Sequence, residues 1–529
     1  VPAGVIKAVN TVFYKNQGGH GGAIRYSGRG LVIINCTFLD NTVESSGEGG
    51  GAISIESNTS DHVMMNSIFW DNAEPQLAFY RNNGSKLYLI NSIVQNPSGI
   101  DMNGPFYNSS TGTDNNLIIY KNGTNHGSNT GMIHTANPAL KDPSSGNFSL
   151  KNYSGAIGMG ASSITLNNQT FSAPSTDILG NSRPNPTGTK QDLGAYENSL
   201  NEPIEKTMFT VDKDGGADFV TIQNAINLTN ALTDTVFIHN GTYNENLVIS
   251  NNLTMIGEDS MLTIIDGGQN GAVIKVNTNS GSEGLIKNLT IRNGSGDEAT
   301  GGALKLGATK YTLDSVNIHS NSVLADGGAI WFNGDSLFIQ NSQIYNNTSA
   351  FKGGGVFAYQ ASAITIENSN ISNNKTTNPA GQGGAIFLPA NAQSLTIKNS
   401  TLENNLSWEG AAVYVDGSDV LFEGVRVLEN SGTHGTVTIN NPGGTKNASF
   451  INSLFYKNST ENNGSAITYI GDVSIMNSAF VDNNYSEYPV SNLLSKPSSS
   501  NAIITNTFFD GNDWDIALYT LGAGSHLVT

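Results

Sequence analysis

The chain has 529 residues, among them Gly 60, Pro 15, one Cys and about 70 Asn, with only 13% charged residues. That excludes a helix-rich protein, which would carry far more Glu, Lys, Ala and Leu, and points to short strands and many turns. The balance of 25 Lys+Arg against 43 Asp+Glu, net −18, is thinly spread and disfavours nucleic acid as a partner. No run of about 18 apolar residues could span a bilayer, and no basic, apolar and small-residue leader opens the sequence. Cys36 alone rules out an internal disulfide framework and a multi-thiolate metal site.

From the start of the chain one pattern recurs: apolar, any, Asn, two residues, apolar, two residues, Asn. Its first Asn, the anchor, falls at Asn10, Asn35, Asn66 and Asn91, with glycine pairs between anchors at Gly21-Gly22 and Gly50-Gly51. Residues from about 101 to 198 lose the repeat, carry Pro105, Pro138, Pro143, Pro174, Pro184 and Pro186, and read as an irregular closing module. It ends in Asn181-Ser182-Arg183-Pro184 and then Asp192-Leu193-Gly194-Ala195-Tyr196-Glu197. This ending resembles the motif that closes bacterial surface and secreted β-helix proteins. Residues 199–206 then read as a linker between a first domain, 1–198, and a second, 207–529.

The second domain opens with Phe209-Thr210-Val211-Asp212 and Asp218-Phe219-Val220-Thr221-Ile222-Gln223-Asn224-Ala225-Ile226. The apolar spacing of Ile222, Ala225, Ile226 and Leu228 predicts one short capping helix near 220–229. Through Val236-Phe237-Ile238-His239-Asn240-Gly241-Thr242-Tyr243 and Ile264-Ile265-Asp266-Gly267, this opening resembles that of pectin methylesterases and related carbohydrate-active β-helix proteins. The resemblance implies the fold of the first coils and is silent on catalysis.

From there the anchor repeats at Asn288, Ser315, Asn341, Asn368, Asn399, Gly424, Asn452, Asn477 and Asn506, a period of about 27 residues. Gly-Gly-Ala signatures lie between, as at Gly327-Gly328-Ala329 and Gly383-Gly384-Ala385. Two apolar positions per rung, such as Ile339 and Ile344 or Ile366 and Ile371, would stack at the parallel-strand spacing of about 4.8 Å. The fold expected is therefore all-β: two tandem right-handed parallel β-helices of three short strands per turn, the hand taken from the crossover rule. The anchors Asn341, Asn368, Asn399, Asn452, Asn477 and Asn506 are expected to form a hydrogen-bonded structural ladder at a tight turn. Both ends read as uncapped, which points to a larger chain or to stacking on neighbouring copies.

Chemistry is sparse. The Asp-Phe-Ile-Phe-Gly and Gly-Asn-Ala segments of the resembled esterases are absent, Val420-Leu421-Phe422-Glu423-Gly424 being an ordinary core strand. The arginines, among them Arg25, Arg29, Arg81, Arg183, Arg292 and Arg426, are dispersed, and no Asp-Asp pair occurs. His434 reads as a surface-turn residue, and Cys36 as a small semi-buried side chain. Asp510-Gly511-Asn512-Asp513-Trp514-Asp515 reads as a solvated acidic turn, and no cofactor is expected, although the acidic surplus leaves room for a structural calcium ion. Alternation after the glycine pairs places Lys305, Trp331, Ala358, Phe387 and Tyr414 in one outward column, so that Trp331, Phe387 and Tyr414 make a candidate binding stripe. Asn-x-Ser/Thr triplets, including Asn83, Asn122, Asn240, Asn252, Asn347, Asn374, Asn405 and Asn484, make the chain a candidate glycoprotein. The expectation is an extracellular or cell-surface structural or adhesive protein without enzymatic activity, whose partners are polysaccharide, other surface proteins or further copies of itself. The alternative is a polysaccharide-binding or carbohydrate-active protein, lyase-like or esterase-like.

Overall fold

The computed structural model describes residues 5–528 apart from 45–48, 57–59, 80–84, 102–116, 230–233, 278–282, 297–300, 308–309, 360–361, 391, 442–445, 463, 486–493, 498–501, 513–517 and 522–525. Arg81, Asn83, Pro105 and Asp513 to Asp515, singled out above, lie outside the described residues. The chain divides into two compact units, Val1–Lys206 and Thr207–Thr529.

In the second unit, the anchor turn explains why the chain coils. Asn341, Asn368 and Asn399 have φ of 51°, 49° and 46°, the left-handed conformation that asparagine tolerates best after glycine. Each anchor ends one strand and turns the chain into the next. A complete coil runs through Ser336–Gln340, Gln343–Tyr345, Thr348–Ser349 and Val356–Ala358. These pair in parallel with Ala363–Glu367, Asn370–Ser372, Lys375–Thr376 and Ile386–Leu388 of the next coil. Four ladders result, of thirteen, eleven, seven and eleven strands in chain order around the coil, so the first coils have the three strands expected and seven coils from Lys310–Asp314 onward carry a fourth. The ladder missed by sequence is the third, whose strands have only two to four residues, as at Ser322–Val323 and Thr348–Ser349, too short to show a clear alternation.

The core is a set of stacked columns. Leu337, Ile364 and Leu395 lie in register, as do Ile339, Ile366 and Ile397, and all are buried. Further along, Phe455, Phe480 and Phe509 stack face to face at 4.7 and 5.2 Å. The glycine pairs have separate reasons. Gly327 has φ of 74°, whereas a Cβ on Gly328 would run into the carbonyl oxygen of Gly354 on the next rung. The capping helix is real but short, Ile222–Ile226, and packs Ile222, Ala225 and Ile226 against the first coil. Its opening N–H groups, of Ile222 and Gln223, donate to the Glu245 carboxylate at 2.9 and 3.0 Å.

The anchor side chains do not form the expected ladder. Their backbones stand in one file, Asn341 N–H donating to Glu367 O and Asn368 N–H to Lys398 O, but the side chains of Asn341, Asn368, Asn399, Asn452, Asn477 and Asn506 face outward. The hydrogen-bonded ladder belongs to the second Asn of the pattern, six residues on: Asn321, Asn347, Asn374, Asn405, Asn430, Asn458, Asn483 and Asn512. In each rung the backbone N–H and Nδ2 both donate to the Oδ1 of the next, as for Asn347 to Asn374 at 3.1 and 2.9 Å, while Nδ2 also reaches Ile318 O. The physical reason is direction: the left-handed anchor throws its side chain to solvent, and the residue after the following turn points inward. The glycosylation triplets at Asn347, Asn374 and Asn405 are thus closed in the folded state, whereas Asn122, Asn240 and Asn484 are exposed.

The first unit repeats this geometry in fewer coils. Leu31–Ile34, His62–Met65 and Leu87–Ile90 continue into Leu117–Lys121, so the parallel ladder reaches into the region expected to be irregular. Asn16, Asn41 and Asn72 form its amide ladder. Unlike those of the second unit, these strands are apolar on both faces. The hairpin Ser163–Leu166 and Gln169–Ser172 covers the outer one, packing Leu166 and Phe171 over Val32, Val63 and Tyr88. Here the anchors are used for docking: Asn66 Nδ2 donates to Ala161 O, and Asn35 Nδ2 to Asp192 O.

Candidate functional site

The predicted stripe is found, with a shift, on the fourth ladder. Register puts Lys305, Trp331, Phe357, Phe387 and Tyr414 in one column, so Phe357 takes the place assigned to Ala358, which faces the core. Phe357, Phe387 and Tyr414 stack at 5.5 and 5.4 Å, but Phe387 is only 3% exposed and Tyr414 9%. Lys352 lies over the Phe387 ring at 4.5 Å, and the Gln382 amide donates to Glu409 at 2.9 Å in the same bordering file. The column is therefore a second, lateral core, and Phe387 and Tyr414 are withdrawn from any ligand. Only Trp331, half-buried beside the exposed Tyr359, keeps an accessible ring.

Other singled-out residues are structural. Cys36 is fully buried rather than semi-buried, and burial pushes its thiol up to about 11. His434 is half-buried, edge-on to Trp408 at 4.6 Å. Asn512 is the last described member of the amide ladder, buried and accepting from Asn483, rather than lying in a solvated turn. Arg183 and Glu197 of the closing motif pair at 3.4 Å with both side chains wholly buried, and the guanidinium also donates to Asp192 O and Gly194 O. Burial, and then the neighbouring Glu197, push Asp192 up to about 7. Among the described residues no three His, Cys, Asp or Glu side chains gather as a metal cage.

The richest outward-facing chemistry lies on the second ladder, at the position four residues after each anchor. Cross-rung pairing sets Asp266, Arg292, His319 and Tyr345 side by side on four successive coils. Arg292 Nε donates to Asp266 Oδ2 at 2.8 Å, and Asn293 Nδ2 donates to the same oxygen at 2.8 Å. Burial pushes the Asp266 carboxyl up, but Arg292, Gly268 N–H and Asn293 outweigh it and hold the group below the usual carboxylate range. The Arg292 Nη atoms have no partner among the described residues and can take a carboxylate or hydroxyls. Burial, then Arg292, lower the pKa of His319, which keeps the imidazole neutral at pH 7. Its ring stacks on Tyr345 at 4.8 Å, and its Nδ1 lies 3.0 Å from Ser320 Oγ.

A parallel column, Thr290, Asn317, Gln343 and Asn370, lines the same face. The turn at Ser260 and Met261 closes over one end, where Asn317 Nδ2 and Thr290 Oγ1 both donate to Ser260 O. The face thus offers a fixed guanidinium, a neutral imidazole, a phenol and several amides at rung spacing. Sequence reading passed over it because Arg292, His319 and Tyr345 stand 26 or 27 residues apart; scanning the fourth residue after each anchor would have found it.

The family described as right handed beta helix region matches residues 260–407, which contain this whole file. The chain carries a right-handed parallel β-helix. A probable pectinesterase/pectinesterase inhibitor of Arabidopsis thaliana is 28% identical over 125 residues, 21% of this chain and 22% of that protein, so the chain spans about a fifth of the length of the curated relative. Among solved structures, pectin methylesterase from carrot aligns over 61% of this chain and 88% of its own, with 11% identity and a TM-score of 0.27. A mutant pectin methylesterase in complex with a hexasaccharide aligns over 58% and 81%, with 12% identity and a TM-score of 0.18.

Proposed function

We propose that this protein is an extracellular polysaccharide-binding β-helix protein that holds an acidic glycan along the second ladder of its second unit. The observation that carries the reading is the file Asp266, Arg292, His319 and Tyr345, whose free guanidinium edge, imidazole and phenol follow one another rung by rung. The rung spacing of about 4.8 Å is close to the length of one hexose in an extended glycan, so successive rungs can address successive sugars. Arg292 takes a sugar carboxylate, and the amides of the neighbouring column take hydroxyls. The similarity to a pectinesterase supports an acidic plant-type glycan as ligand, in preference to the structural role expected from sequence.

The test is affinity electrophoresis or calorimetry with polygalacturonate. Arg292→Ala and Tyr345→Ala are each expected to weaken binding by about tenfold, on the order of 1.4 kcal/mol, without loss of the fold. Unchanged affinity in both variants overturns the reading. A second reading, adhesion to a further copy of this chain, is favoured by Leu324 and Phe351, which are 90% and 46% exposed on neighbouring rungs. Leu324→Ser with Phe351→Ser would then abolish concentration-dependent self-association in sedimentation, and an unchanged profile sinks it.

A further inference from the structure

The first unit holds a groove of about 540 Å³ between its apolar outer sheet face and the hairpin Ser163–Leu166 and Gln169–Ser172. Val5, Val32, Val63, Leu166 and Phe171 make its apolar walls. The polar groups are unevenly committed. Asp61 is occupied: its Oδ1 accepts from Lys86 N–H at 2.9 Å and its Oδ2 from Asn167 Nδ2 at 3.1 Å. The same Asn167 amide donates to the Tyr88 hydroxyl oxygen at 3.3 Å, which leaves the Tyr88 proton free to donate. Arg29 and Gln169 line the mouth, are exposed, and have no partner among the described residues. The unspent hydrogen-bonding capacity is therefore mostly donor: a guanidinium, a phenol O–H and an amide, set above an apolar floor.

We infer that this groove is a binding site for a small organic anion with an apolar body, a monocarboxylate whose carboxylate pairs with Arg29 while its ring or alkyl chain lies against the partly exposed Phe171 and Val5. The anion is favoured over a neutral ligand because, among the described lining residues, both oxygens of the one carboxylate already accept hydrogen bonds while the one guanidinium has no partner. An apolar body is favoured over a bare inorganic anion because the walls are aliphatic and aromatic. The site is independent of the glycan face, since it shares no residue with it.

The experiment is calorimetry of the full chain with 4-hydroxycinnamate, and with its neutral amide as the matched control. The expected result is saturable binding of the carboxylate at least tenfold tighter than the amide. Arg29→Met should remove that preference, and Arg29→Lys should keep part of it. Both changes are at an exposed side chain and leave the fold intact, to be checked by an unchanged unfolding midpoint. Gln169→Ala is a further surface change, expected to weaken binding a few fold. No binding at millimolar ligand, equal affinity for acid and amide, or an undiminished preference in Arg29→Met each overturn the assignment.

Discussion

Two asparagines per repeat have opposite duties. Asn368 at an anchor is exposed and holds a φ of 49°, so its contribution is conformational. Asn374 is buried, and its amide is shared between Asn347 and Asn405. Asn374→Ala should therefore leave the buried Asn347 N–H unpaired, remove one of the bonds of its amide, and cost about 3 kcal/mol. Asn368→Ala should cost about 1 kcal/mol through strain alone, and Asn368→Gly next to nothing. Urea unfolding of the three variants distinguishes the duties; equal losses for Asn374→Ala and Asn368→Ala would contradict them. The repeat spacing was legible down to both asparagines of each rung. Which of them points inward was not, because spacing carries no information about the turn that separates them.

At the scale of elements, the glycine pairs, the alternating five-residue strands and the helix over Ile222–Ile226 could all be read from local pattern, each having a local physical cause. The fate of the aromatic column could not. That Phe387 is covered depends on Lys352 and on the file beside it, which belongs to other rungs. Phe387→Ala is accordingly expected to lower stability by about 3 kcal/mol as a buried large-to-small change, with glycan affinity unaltered. A loss of affinity without a loss of stability would reverse the assignment. The closing motif makes a second prediction. Asp192 is pushed up to about 7 in the folded chain, against an ordinary carboxylate value of 3.8. The folded state thus binds the extra proton, and this stabilisation is complete below about pH 4 and is lost as pH rises through about 7. Hydrogen exchange of residues 177–198 should accelerate between about pH 4 and 7 after correction for the intrinsic rate, and a flat corrected profile would contradict the proton on Asp192. Arg183→Met, which strands buried carboxylates, should cost about 3 to 5 kcal/mol.

For the whole molecule, the solenoid converts a period in sequence into a ruler in space. Residues 26 or 27 apart, such as Arg292, His319 and Tyr345, become neighbours about 4.8 Å apart. The coil itself was visible in the sequence because its period is regular; the site was hidden because its members share a phase and not a motif. The four-rung file spans about 14 Å, three rung intervals. The most direct measurement of the account is binding of galacturonate oligomers of increasing length to the full chain. Affinity is predicted to rise from dimer to tetramer and then level off, with the rise abolished in Arg292→Ala. Affinity independent of length, or a rise that persists in Arg292→Ala, would contradict a glycan lying along this face.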